Sequence, residues 1–189
     1  MKLRIASIAG CIVVLICSGR IATSFASQPR DDEVSKEFTN RVHAYIQLRD
    51  AQGNKLSKPT SSAEQVTRER REFADRVRVA RGNVKQGAIF GPPVDALFRK
   101  QIADTFAGPN GNKIRASLRH AEPVRTMNLG VNDFYPSGIP LQSTPPSLLL
   151  DLPVLPKGLR YQIVGRDLVL LDTTTNLIVD VLRDGMPES

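Results

Sequence analysis

The run "YQIVGRDLVLLDTTTNLIVDVL", Tyr161 to Leu182, constrains this chain more than any other segment, because apolar residues alternate along it and two turn-forming stretches interrupt it. Alternation with a period of two sends successive side chains to opposite faces, so the run predicts antiparallel strands. Gly165-Arg166, glycine first, suits a two-residue hairpin turn that pairs Ile163 with Leu168 and Tyr161 with Leu170. A second turn centred on "TTTN" then pairs Leu170 with Val179 and Leu168 with Val181. In that register one face carries Tyr161, Ile163, Leu168, Leu170, Val179 and Val181 and is wholly apolar. The other face mixes Arg160, Gln162, Asp167 and Asp180 with Val164, Val169, Leu171, Ile178 and Leu182, and is expected to be partly covered. A three-stranded meander needs a partner layer to be stable, so the preceding sequence must supply one.

That layer reads as helical. From Asp31 to Leu48, Val34, Phe38, Val42, Tyr45 and Leu48 mark one face of an amphipathic helix with acids in its first turn, ended by Gly53-Asn54. A polar linker follows. A second helix starts at Ser61 or Ser62, both at capping-box spacing, and buries Val66, Phe73, Val77, Ala80 and Val84. Its charged face, "RERREFADRVRVAR", reads as a solvated surface braced by the i,i+4 pairs Glu64–Arg68, Arg68–Glu72, Arg71–Asp75 and Glu72–Arg76; the rival reading is a basic surface for anionic lipid or another polyanion. Pro92-Pro93 opens a third helix with Val94, Leu97, Phe98, Ile102 and Phe106 buried, and a short helix, Lys113 to His120, follows. Between Glu122 and Gly158 lie seven of the thirteen prolines, which excludes continuous helix or a central strand; "PPSLLLDL" forms one helical turn or two within this strap.

The fold class is therefore α+β: a helical region over 27–121, a proline-rich connector over 122–158 and a meander over 159–184, together one domain. Residues 1–26 read as a signal peptide. Lys2 and Arg4 precede an uncharged run from Ile5 to Gly19, and Ser24-Phe25-Ala26 supplies small residues before the cut. Arg20 interrupts the run too early for a spanning helix, the competing reading as a retained anchor. Ile8-Ala9-Gly10-Cys11 has the look of a lipobox but lies before the apolar run has ended. Cleavage after Ala26 removes Cys11 and Cys17, the only cysteines, so the mature chain is disulfide-free and has no thiolate for zinc or iron–sulfur ligation. It also removes Lys2, Arg4 and Arg20 and no acid, which takes the formal net charge from +7 to +4 and weakens any case for nucleic acid as partner. The expected location is periplasmic or secreted.

Local patterns for chemistry are sparse. His43 and His120 belong to different helices and neither has an acid at metal-ligand spacing, so no metal or cofactor is expected. Asp167, Asp172 and Asp180 do not follow a calcium-loop pattern; tight-turn roles for Asp167 and Asp172 explain those two without a cation. No catalytic residues are assigned, although a site assembled from distant loops would leave no local pattern.

The text from "NDFYPSGIPLQS" through "RYQIVGRDLVLLDTTTNLIVDVL", with "QGAIFGPPVDALFRKQI" and "FAGPNG" upstream, resembles a group of bacterial exported proteins of unknown function. The resemblance covers most of the mature chain and implies no activity, substrate or cofactor. Leu155 to Leu182 also resembles the strand-turn-strand ending of periplasmic nickel/cobalt-homeostasis proteins, but no metal residue carries over. The functional expectation is a non-enzymatic binding or interaction module, with an envelope protein as a possible partner. The alternatives are an envelope enzyme and a membrane-surface structural protein. The expected contact surface is the mixed face of the meander with the strap residues Phe134, Tyr135 and Pro136; the residues singled out are Phe134, Tyr135, Asp167 and Asp180.

Overall fold

A computed structural model describes residues 30–53, 62–120, 129–136 and 144–187, without the side chains of residues 119 and 120. Among these residues, five helices and one sheet follow in chain order: α1 (Asp31–Ala51), α2 (Ala63–Arg81), α3 (Pro92–Ala107), α4 (Gly111–His120), α5 (Pro146–Asp151), β1 (Leu159–Val164), β2 (Asp167–Asp172) and β3 (Leu177–Leu182). The helices and the C-terminal antiparallel sheet, in the order β1-β2-β3, make the fold α+β.

The apolar stripes explain the helix layer. In α1, Val34, Phe38, Val42 and Tyr45 are buried as their spacing requires, but the next position on the buried face is Arg49, with Leu48 half-buried. In α2 the Ser62 hydroxyl caps the helix by accepting from the Gln65 amide, while Phe73, Ala74 and Val77 form the buried face. Ala80, expected inside, is exposed. The entire predicted stripe of α3 is buried, and this helix lies at the centre of the layer, against α1, α4 and α5. Phe98 touches Phe38 and Phe90 at ring-centroid distances of 4.9 and 5.1 Å and reaches Tyr161 of the sheet at 6.0 Å. Those tilted and edge contacts join helices to sheet with aromatic geometry that favours contact. Helix α5 realises the short helical turn expected from "PPSLLLDL", with Pro146 at its start.

The first hairpin has the expected register: Ile163 faces Leu168, Tyr161 faces Leu170, and Gly165 takes the positive φ of 61° that its turn position needs. The second differs. Leu170 pairs with Asp180 and Leu168 with Leu182, because a β-bulge between Leu170 and Leu171 leaves an extra residue, Val179, on β3. One inserted residue changes the phase of everything beyond it. Val179, Asp180 and Leu182 are consequently on the helix side, and Val181 joins Val164, Val169, Leu171 and Ile178 on the outer side.

Asp180 is fully buried. Its Oδ2 accepts from the amides of Ile89 and Phe90 at 2.7 and 2.8 Å, and its Oδ1 from those of Gly87 and Val181 at 3.0 and 2.9 Å. Carbonyls of the same loop, at Gly87, Ala88 and Ile89, face the Arg41 guanidinium of α1. A loop with no regular structure is thus hydrogen-bonded from both sides and can be buried.

The outer face is covered as well. Residues 132–135 pair with β3: the Asn132 amide donates to the Ile178 carbonyl, the Ile178 amide to that of Asp133, and the Tyr135 amide to that of Asn176, at 2.8 to 2.9 Å. Leu129 and Tyr135 are buried over Val169, Leu171 and Val181. The outer side of the sheet is therefore a second, smaller core, where the sequence read a mixed contact face.

Replacing the Asp180 carboxylate tests the bulge. Asp180→Ala leaves several buried amides without an acceptor and should cost roughly 3 kcal/mol or more. Urea unfolding should show this as a lower midpoint; a loss under about 1 kcal/mol, the worth of an average hydrogen bond, would contradict the described geometry.

Candidate functional site

Asp172 closes β2 and is fully buried. Its Oδ1 accepts from the Thr174 and Thr175 amides at 2.8 and 3.3 Å, the turn-bracing role expected from sequence. Its Oδ2 accepts from the Tyr45 hydroxyl at 2.7 Å and lies 3.4 Å from Arg49 Nη1, both on α1. Burial, then the Asp172 charge and hydrogen bond, push the Tyr45 hydroxyl well above its ordinary value of 10.0. Burial acts to lower the Arg49 value, but hydrogen bonds and charges from Asp50 and Asp172 outweigh it and leave it raised. Arg81, at the end of α2, sits 5.0 Å from the Tyr45 ring centroid and donates to the Val179 carbonyl at 2.8 Å; burial lowers its value. These groups tie α1 and α2 to the sheet. Each polar end is turned toward protein partners, so the cluster serves packing.

A second arrangement opens to solvent. Where the strap crosses α2, a cleft of about 370 Å³ has one wall on α2, formed by Thr67, Arg70 and Arg71 at i, i+3 and i+4. The strap contributes Phe134, Tyr135 and Pro136, and the β2–β3 turn contributes Thr175 and Asn176. Backbone pairing fixes the strap side, and Asn176 adds a side-chain donor to the Tyr135 carbonyl at 2.9 Å. Phe134 is half-buried, with the guanidinium carbons of Arg71 and Arg78 at 4.5 and 5.0 Å from its ring centroid, inside cation–π range.

The α2 charges do not pair as their spacing suggests. Asp75 meets Arg78 at 3.5 Å, an i,i+3 contact, and none of the four expected i,i+4 pairs closes. Arg76 instead reaches the Gln52 and Gly53 carbonyls, and Arg78 the Asn132 carbonyl. Arg70 and Arg71 are exposed and make no ion pair among the described residues.

The structure brings Phe134, Tyr135 and Pro136 together in the cleft, and separates them from the two aspartates. Asp180 is not a surface residue: the bulge turns it inward, onto the loop amides. Asp167 accepts from Arg183 Nη1 at 2.6 Å and from the Asp184 amide at 2.9 Å, closing the end of the sheet. Tyr135 presents no exposed ring, since it is buried and its hydroxyl finds no hydrogen-bond partner among the described residues; burial raises its pKa. His43 is exposed on α1, and the His120 side chain lies outside the described residues. Among the described residues no group of three or more potential ligands could hold a metal ion, and no helix is long and apolar enough to cross a membrane. The expected signal peptide and both cysteines lie outside the described residues.

From the sequence Arg70 and Arg71 belonged to a charged face read as solvated, with Asp75 the i,i+4 partner of Arg71, and neither was singled out. Arg71 at the spacing of Thr67 plus four is visible in sequence; that Phe134 would lie beneath it is not. The chain matches no family profile, no curated protein and no solved structure.

The buried tyrosines set a pH dependence. Above pH 10.0 an unfolded chain has lost the Tyr45 and Tyr161 protons, while burial keeps both hydroxyls protonated in the fold. The folded state then binds more protons, so stability is fully present below that pH and falls as pH rises through it. Tyr45→Phe should cost about 1.5–3 kcal/mol at neutral pH through the lost bond to a carboxylate, and flatten the alkaline decline. Urea midpoints measured from neutral to alkaline pH check both effects.

Proposed function

We propose that this protein is an exported, non-enzymatic binding module whose contact point is the cleft between α2 and the strap. The cleft carries the reading: it combines two exposed arginines that make no ion pair among the described residues, a half-buried phenylalanine and a β-paired wall. Concave sites that mix an apolar floor with a few fixed polar groups are the usual form of a binding pocket. Export is supported by the order of charge, apolar run and small residues in 1–26, and by the resemblance of the C-terminal third to exported proteins.

Two measurements test this reading. Residues 1–30 fused to a reporter enzyme that is active only outside the cytoplasm should give activity, and Leu15→Arg in the apolar run should abolish it. Capture from envelope extract should recover a ligand or partner with the wild-type chain and lose it with Arg71→Glu, at unchanged melting temperature. Recovery indifferent to Arg71→Glu would remove the cleft from the function.

A further inference from the structure

We propose that the α2–strap cleft binds a small organic oxyanion, a carboxylate or phosphate carried on an apolar body. Arg70 and Arg71 would hold the charge, and Phe134 and Pro136 the body. The inference rests on the binding-module reading above and gives it a ligand class.

Charge supplies the first argument. Of the two guanidinium groups on Phe134, Arg78 is already engaged by Asp75 and the Asn132 carbonyl, whereas among the described residues Arg71 meets only the ring. Stacking on the ring restricts the Arg71 side chain, and a planar fork held this way matches the two oxygens of a carboxylate or phosphate. Arg70, one position earlier, lines the same cleft, so two positive charges converge there without an acid among the lining residues. Asp133, an acid of the strap, is not among the lining residues, and its carboxylate lies against Gly130.

Size and lining supply the second. At about 370 Å³ the cleft lies near the lower end for small-molecule sites and is too small for a folded surface. Phe134 and Pro136 make one part apolar; the Thr67 hydroxyl donates to the Ala63 carbonyl, the Asn176 amide to the Tyr135 carbonyl, and the buried Thr175 hydroxyl accepts from the Leu177 amide, so the charged end of a ligand is left to the arginines. A bare inorganic ion would leave the apolar part unused; a neutral body would leave two arginines unanswered.

Calorimetric titration of the purified chain with phenyl phosphate, benzoate, inorganic phosphate and benzyl alcohol tests this directly. Phenyl phosphate or benzoate should bind saturably and more tightly than inorganic phosphate or benzyl alcohol, and added salt should weaken the binding. The double variant Arg70→Ala/Arg71→Ala should weaken it by roughly tenfold or more, the loss expected for charge-assisted hydrogen bonds. Arg68→Ala, an exposed cation outside the cleft, should leave it unchanged. Melting temperatures equal to wild type would show that the variants fold. Vesicles of phosphatidylglycerol and phosphatidylcholine in equal parts separate the sources of the oxyanion. Co-sedimentation competed by phenyl phosphate identifies a lipid headgroup, and phenyl phosphate binding without co-sedimentation identifies a soluble molecule. Failure of both organic anions and the vesicles to bind, or binding indifferent to the double variant, would overturn the proposal. Arg71→Glu-sensitive capture from envelope extract would in that case still stand for the binding module, with a different ligand.

Discussion

The Asp180 carboxylate is the constraint on which the rest of the structure depends. From the sheet its one side chain reaches the amides of Gly87, Ile89 and Phe90, and the bulge at Val179 puts it there. A buried acid is costly unless hydrogen bonds replace its water, and four backbone donors do so here. With that loop fixed, Phe90 meets Phe98, the start of α3 is positioned, and the helix layer closes over the sheet. Arg41 on the opposite side of the loop and Tyr45 on Asp172 make α1 part of the same clasp.

This arrangement also explains why the sheet offers so little surface. One face lies on the helices and the other under the strap, and β3 is occupied along part of its edge by residues 132–135. Such cover shields part of the edge that β3 would otherwise present to other chains. Exposed features therefore gather elsewhere. They include the α2–strap cleft, and Leu150 and Val154, which are 85% and 96% exposed around α5. The cleft differs from those lone apolar residues because converging charge gives it a chemistry.

Much of the architecture is legible in the residues. The α3 stripe, the Ser62 cap, the Pro146 helix start and the first hairpin are local patterns, set by side chains a few positions apart. The second hairpin misled because perfect alternation and a bulged strand look alike until an outside partner decides between them. Pairing Val181 inward would bury more hydrocarbon on that face, but it would direct Asp180 away from the loop amides. The α2 charges misled for a related reason: i,i+4 spacing permits an ion pair, worth a few tenths of a kcal/mol, and carbonyl or aromatic partners across the fold take the arginines instead.

By itself the sequence determined the α+β class, the positions of the helices and the existence of the meander, because helical and strand periods are properties of neighbouring residues. Tertiary structure alone decided which way Asp180 points, that Arg70 and Arg71 make no ion pair among the described residues, and that Phe134 lies beside Arg71. Those outcomes depend on groups far apart in the chain, such as Arg71 and Phe134 or Gly87 and Asp180, whose meeting no local spacing records.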